Sequence, residues 1–309
     1  MNKRVAALDL GTNTFHLLIA EVNSGKINKI IEEQRHVKLG EGGINKGFIA
    51  EVAYKRGIDA LEYFKSVMDK FPVDAIKASG TAALRSAKNG VDFIEEAKKR
   101  TGITIDIIEG DREAGLIYKG VRAATDLGAS SLIMDIGGGS VEFIFCSNKD
   151  IFWKKSYPIG AAKLMAAFHH SDPISSSDSQ TIWNHLAEQL AELKDKASQF
   201  KPLQLVGSAG AFETFAALET ERSGKNLELL NKENYGFNVP ELKSVLEKII
   251  KSTHQEREQN QLIIPVRTDM IVVASILTGF IIEQMHIEKI SMSKFSLKEG
   301  LVMELTEVL

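Results

Sequence analysis

The feature that most constrains this chain is that its sequence opens twice. Residues 5–10 form an apolar run that ends in Asp9-Leu10 and passes through Gly11-Thr12-Asn13-Thr14 into a second apolar run at 15–22. Far downstream, residues 131–136 repeat the pattern, ending in Asp135-Ile136 and passing through Gly137-Gly138-Gly139-Ser140 into residues 141–146. Each opening continues into a third strand-like run, at 27–35 and 150–157, and each later reaches an aliphatic-Gly step, Leu39-Gly40 and Ile159-Gly160. Self-similarity at this scale reads as an internal duplication of one domain.

The duplication predicts an α/β fold of two copies, domains 1–126 and 127–309, with the boundary near 126–130 where Gly and Ser interrupt the pattern. Each domain is expected to be a mixed sheet flanked by helices, the pair enclosing a central cleft. In the first copy the periodicity predicts a helix over about 50–70, with Leu61 and Phe64 on its apolar side, and a strand at 73–78. Short helices follow at 82–86 and 91–100, a strand at 104–108 and a helix over 111–124. Asn23-Ser24-Gly25 reads as the turn between the second and third strands, and Asp111 as the cap of the helix after it. Residues 171–179 read as a serine-rich loop and helix cap. The last helix, about 297–309, is free to pack on either domain, the first included.

Composition narrows the class. With 44% hydrophobic and 26% charged residues among 309, the chain is a globular protein and not a disordered one. Its single cysteine, Cys146, reads as a buried strand residue. It excludes an intrachain disulfide and fits a reducing cytoplasm. The start of the chain lacks the pattern of a signal peptide, and the longest apolar stretch, 270–282, is too short to span a bilayer. It reads as a buried helix. A net charge of −3 gives nucleic acid no support and means that an anionic ligand needs a local basic site. No Walker A loop, dinucleotide glycine fingerprint or zinc-ligand spacing is present, and His169-His170 read as surface residues.

A strand ending in Asp before a small-residue turn suits a particular chemistry. The carboxylate sits where it can hold a hydrated Mg²⁺, and the Gly and Ser/Thr residues let backbone N–H groups approach phosphate oxygens. One such turn is an ordinary hairpin; two facing each other across a cleft could clamp one phosphate chain. Gly207-Ser208, between a strand and a helix, offers a third anion-facing turn. Strand alternation sets Ser140 and Glu142 on one face.

These turns resemble the phosphate loops of the actin, heat-shock chaperone and sugar-kinase superfamily. More narrowly, the chain resembles the exopolyphosphatase and guanosine pentaphosphate phosphatase family. The resemblance rests on residues 7–20 (ALDLGTNTFHLLIA), 80–89 (GTAALRSAKN), 107–121 (IIEGDREAGLIYKGV), 132–142 (LIMDIGGGSVE), 156–163 (SYPIGAAK), 205–210 (LVGSAG), Arg267 with Asp269, and 297–300 (LKEG). It covers almost the whole chain in the right order.

The resemblance implies a ribonuclease-H-like fold in both domains and Mg²⁺ as cofactor. It implies Glu113 as the carboxylate that activates water, in the first turn of a helix whose dipole favours its ionised form. It implies Asp135 and Asp9 as metal carboxylates and Glu142 as a metal-binding or water-positioning one. Gly11, Thr12, Asn13, Thr14, Arg85, Gly137, Gly138, Gly139, Ser140, Gly207 and Ser208 would contact phosphate, and His16, which matches a histidine common in the family, would orient the cleft. Substrates would be inorganic polyphosphate or guanosine pentaphosphate, the latter linking the chain to the stringent response. Partners would be polyphosphate or guanosine penta- or tetraphosphate, not nucleic acid or membrane, with a homodimer left open. Longer relatives carry further C-terminal domains, so a weaker hold on long polymers is expected here.

The chain also departs from the pattern. Ala209 and Ala211 stand where relatives carry Gly and Thr, and Arg112 stands where many have a second acid. Arg112 could pair with phosphate or damp the charge of Glu113. It therefore leaves open a non-catalytic sensor of guanosine alarmone nucleotides. A small-molecule kinase of the same superfamily is the other alternative.

Overall fold

The computed structural model describes residues 3–23 and 26–308, and within it the chain folds into two units. The first begins with the hairpin strands β1 (Arg4–Leu10) and β2 (Phe15–Asn23) and with β3 (Lys26–Arg35). Ser24 and Gly25 of the expected turn lie outside the described residues. Helix α1 (Glu51–Lys70), strand β4 (Ala75–Gly80), helices α2 (Ala82–Ser86) and α3 (Gly90–Thr101), strand β5 (Ile105–Ile107) and helix α4 (Gly110–Ala124) follow. The strands form one sheet in the order β3-β2-β1-β4-β5, antiparallel across the hairpins and parallel from β1 to β5.

Alternation fixes which face of this sheet does what. Ala6, Leu8 and Leu10 of β1, with Ala78 of β4, join the core formed with Leu61 and Phe64 of α1 and Phe93 of α3. Each large apolar side chain buried there contributes about 1.5–3 kcal/mol. Asp9 and Ser79 fall on the opposite face, because neighbouring residues in a strand point to opposite sides. Strand β4 starts and ends two residues later than the expected 73–78, which carries Ser79 and Gly80 into the sheet beside Asp9 and Leu10.

The second unit repeats this plan. Strands β6 (Ser131–Ile136), β7 (Val141–Cys146) and β8 (Ile151–Tyr157) are followed by helices α5 (Ala161–Phe168), α6 (Ser176–Gln189) and α7 (Ala191–Phe200). Strand β9 (Gln204–Ser208), helix α8 (Ala209–Arg222), strand β10 (Asn234–Gly236), helices α9 (Val239–Lys251), α10 (His254–Gln259) and α11 (Met270–Met285), and strand β11 (Ile290–Ser293) complete it. The sheet order β10-β11-β9-β6-β7-β8 contains the first unit's order, with β10 added at the edge. Helix α11 is apolar on nearly every side and buried from Ile271 to Ile282, as expected of 270–282. Ser175 caps α6 by accepting from the Asp178 N–H, which is the expected role of the serine-rich loop.

The chain does not divide at one point. Helix α12 (Leu297–Val308) returns to the first unit and packs on β1, β2, β3 and β4. It lies so close to α4 that a Cβ on Gly300 would stand 1.9 Å from the Leu116 carbonyl oxygen, and one on Gly120 would stand 2.0 Å from that of Ser296. Gly137–Gly139 also belong to the first unit. The expected division at 126 left the last helix free to pack on the first domain, and Gly137–Gly139 are a further segment on that side. The glycine turn lies against Asn13, Thr12 and Ala82, a fit that side chains at 138 and 139 would block. Among the described residues no helix is long and apolar enough to cross a membrane.

Candidate active site

In the first unit the turn after β1 is closed by its own backbone. The Gly11 N–H donates to the Thr14 carbonyl at 3.2 Å, and a Cβ on Gly11 would press on that oxygen at 2.9 Å. The Leu39-Gly40 step has a structural purpose: Gly40 N–H donates to the Thr12 carbonyl at 3.1 Å, and Lys38 N–H to that of Asn13 at 2.8 Å. These bonds hold the turn from outside. The Thr14 hydroxyl meets His36 Nδ1 at 3.3 Å, while the Thr12 hydroxyl is buried and makes no hydrogen bond. The second glycine turn lies against this one, its Gly139 over Thr12 and Ala82 and its Gly138 over the Asn13 amide. Sequence reasoning named these residues as one phosphate-binding set, and Gly11–Thr14 and Gly137–Gly139 are brought together within the first unit.

Glu113 is buried, with 6% of its surface exposed. Its N–H donates to the Glu109 carbonyl at 2.9 Å, and the helix begins at Gly110. Asp111 therefore lies inside the first turn and is not the cap, a correction to the sequence reading. Arg85 reaches Glu113 from α2. Its Nη1 donates to Glu113 Oε2 at 3.1 Å and to the Ile108 carbonyl at 2.6 Å. Arg85, read from sequence as a phosphate contact, also bonds the Glu113 carboxylate in this structure. Both bonds leave from Nη1, so Nε and Nη2 remain for an anion among the described residues.

Arg112, which could pair with phosphate or damp the charge of Glu113, bonds a different carboxylate in this structure. Its Nη2 donates to both carboxylate oxygens of Glu304 on α12, at 3.2 and 3.0 Å. Glu304 also takes Lys77. Burial pushes this carboxyl up, but Lys77 and then Arg112 outweigh it and hold its pKa below the ordinary value. The residue beside Glu113 is thus turned toward α12.

In the second unit the acids share one row of the sheet. Asp135 pairs in register with Glu142 on one side and Ser208 on the other, and Glu142 pairs with Ser156. Paired residues present their side chains on the same face. Ser208 Oγ donates to Asp135 Oδ2 at 2.5 Å, and Ser156 Oγ to Glu142 Oε1 at 2.6 Å. Both acids are buried, Glu142 to 1% exposure. Ser140, in the same turn, is buried as well. Ser156 was missed from sequence; its pairing across β7 and β8 is the signal that finds it.

The turn after β9 is tightly built. The ring of Phe212 lies on Gly207, and the guanidinium of Arg267 lies on Gly210. Arg267 bonds Thr214 Oγ1 at 3.2 Å and Glu213 Oε2 at 3.1 Å, so it roofs the turn. Ala209 has φ of 65°, in the left-handed region that favours glycine.

Among the described residues no three His, Cys, Asp or Glu side chains converge as a metal cage. The carboxylates that Mg²⁺ could use are Asp9 in the first unit and the adjoining Asp135 and Glu142 in the second. That ion keeps several waters and uses one or two carboxylates with substrate phosphates. Of the residues set aside, Cys146 is buried, its thiol pushed up to about 12 by burial. His170 is exposed. His169 is half-buried, and desolvation, then the charge of Arg257, lowers its pKa.

The class is therefore a duplicated, actin-like α/β protein in which each copy carries an Asp-Gly turn and the first copy also holds a buried, Arg-bonded glutamate. Residues 18–308 match the Ppx/GppA phosphatase family, and the chain belongs to that family. It is similar to the crystal structure of an exopolyphosphatase from Cytophaga hutchinsonii, at 36% identity and a TM-score of 0.96, covering 99% of this chain and 98% of that one. It is similar to the Aquifex aeolicus PPX-GPPA enzyme at 25% identity and a TM-score of 0.82, over 98% and 99% of the two chains. It is also 25% identical to a guanosine-5'-triphosphate,3'-diphosphate pyrophosphatase of Photobacterium profundum. That match covers 97% of this chain but spans only 59% of the relative's length.

Proposed function

We propose that this protein hydrolyses the terminal phosphoanhydride of inorganic polyphosphate or of guanosine pentaphosphate. The observation that carries the reading is the buried Glu113 carboxylate bonded by Arg85 in the unit that also holds the two glycine turns. Water attacks the terminal phosphorus, the bond to the bridging oxygen breaks, and orthophosphate leaves with the chain shortened by one phosphate. Glu113 takes the proton from the attacking water. The N–H groups and hydroxyls of residues 11–14 and 137–140 meet the phosphate oxygens, and the open side of the Arg85 fork adds charge-assisted bonds. Asp135, Asp9 and Glu142 would hold Mg²⁺, which when bound neutralises charge on the phosphate oxygens. Ser208 and Ser156 keep the two buried acids of the second unit oriented. Positioning and electrostatics do most of the work in such transfers.

The sensor alternative rested on a cation beside Glu113; Arg112 bonds Glu304 in this structure, which favours the hydrolase reading. Orthophosphate release with Mg²⁺ from long-chain polyphosphate and from guanosine pentaphosphate tests the proposal. Wild type is expected to turn over at least one, and Glu113→Gln to lose about 10²–10⁴-fold in kcat, the range for general-base catalysis. Tight nucleotide binding without turnover in both proteins would replace the hydrolase by a sensor.

A further inference from the structure

Ser79 belongs to no motif recognised in the sequence. Its hydroxyl is fully buried and has no hydrogen-bond partner. It pairs in register with Asp9 across β1 and β4. Its neighbour Ala78 points into the core with Leu8 and Leu10, so Ser79 points to the other face, the one Asp9 shares. Lys77, on that face too, reaches Glu304 on α12. His16 pairs with Asp9 on its other side, which makes the row His16, Asp9, Ser79.

The second unit shows what this row is built to do. There the equivalent row is Glu142, Asp135, Ser208, and the serine hydroxyl is bonded to the aspartate. In the first unit the serine is in the same register and makes no such bond. Thr12, in the turn that follows Asp9, carries a second buried hydroxyl without a partner. Leaving a buried hydroxyl unpaired is destabilising, and such groups call for a partner that function supplies.

We propose that Ser79 is a ligand-facing residue, whose hydroxyl takes a water of a hydrated divalent cation held at Asp9. The proposal rests on the reading of Asp9 as a cation carboxylate. Mg²⁺ retains most of its waters when protein-bound, so a hydroxyl beside one carboxylate is a suitable partner for one of them. Ser79 then acts by positioning, since it touches neither phosphorus nor the attacking water.

The test is Ser79→Ala in the full chain, read by thermal unfolding without additions, with MgCl₂ alone and with inorganic phosphate alone. The Mg²⁺ dependence of phosphate release is read beside it. Without ligand the variant is expected to melt about 1–3 °C higher, because the unpaired hydroxyl is gone. The Mg²⁺-induced stabilisation should fall by about half or more, and the Mg²⁺ needed for half-maximal rate should rise about 3–10-fold. In an Asp9→Asn background the same substitution should leave the Mg²⁺ dependence unchanged, as a double-mutant cycle requires of coupled groups. A variant that melts higher but keeps the full Mg²⁺ response overturns the proposal, as does a wild type that Mg²⁺ does not stabilise. A response lost with phosphate alone assigns the hydroxyl to phosphate and overturns it too. If wild type cleaves neither substrate yet Mg²⁺ stabilises it through Ser79, the hydrolase reading fails and this one stands.

Discussion

The two units place the same register to different uses. In both, a strand ending in Asp pairs with a hairpin partner on one side and a parallel strand carrying Ser on the other. In the second unit the row is Ser156, Glu142, Asp135, Ser208, and each acid accepts a serine hydroxyl. In the first it is Gln34, His16, Asp9, Ser79, with one carboxylate and an unpaired serine. The catalytic candidate of the first unit lies off the row, on α4, and its partner is a guanidinium. Duplication preserved the backbone; the side chains diverged into a preorganised pair of acids in one copy and a base with its holder in the other.

If that division is right, the two aspartates are unequal. Asp135→Asn should lower kcat by about 10²–10³, the scale for removing one preorganised electrostatic element, while Asp9→Asn should cost about 10-fold. Steady-state rates with saturating Mg²⁺ decide it. Equal losses would mean that the two rows still act as a symmetric clamp.

Next in size is the clasp on Glu113. Arg85→Lys keeps the charge but removes the rigid guanidinium, whose Nη1 bonds both the Ile108 carbonyl and Glu113 while its other nitrogens remain for an anion. About a 10-fold or greater fall in kcat is expected, because a misplaced base loses much of its advantage. Ser156→Ala, which removes one neutral donor to Glu142, should do less. A reversal of that order would show that the second unit's acids need their holders more than Glu113 needs Arg85.

What the sequence made legible follows from what period and turn chemistry encode. The two hairpins, the glycine turns and the buried helix over 270–282 all follow local patterns, and local patterns are readable. The partners of the acids are not local. Ser208 reaches Asp135, and Arg85 reaches Glu113, only because parallel crossovers bring distant strands and helices together. Asp111 was read two positions too far out, since a carboxylate ahead of a helix and one inside its first turn look alike in sequence. Gly120 and Gly300 would pass for weak points in their helices, yet they are where α4 and α12 touch backbone to backbone. The partner of Arg112 lay at the far end of the chain, beyond any local rule.

The smallest expected effect sharpens the comparison at the strand-to-helix junctions that follow the two serines. In the first unit Gly80 follows Ser79, and a Cβ there would stand 2.7 Å from Leu84 Cδ1, so a side chain would have to push that leucine aside. In the second unit Ala209 follows Ser208 and holds φ of 65° with a Cβ in place. A left-handed non-glycine residue costs roughly 1–2 kcal/mol, and the freedom that glycine adds to the unfolded chain returns part of it. Ala209→Gly should therefore stabilise by about 0.5–1 kcal/mol and raise the melting temperature by about 1–4 °C. Thermal unfolding of the variant checks the sign. A destabilised variant would mean that the alanine methyl makes packing contacts worth more than the strain it imposes. The second junction, like the first, would then be governed by space.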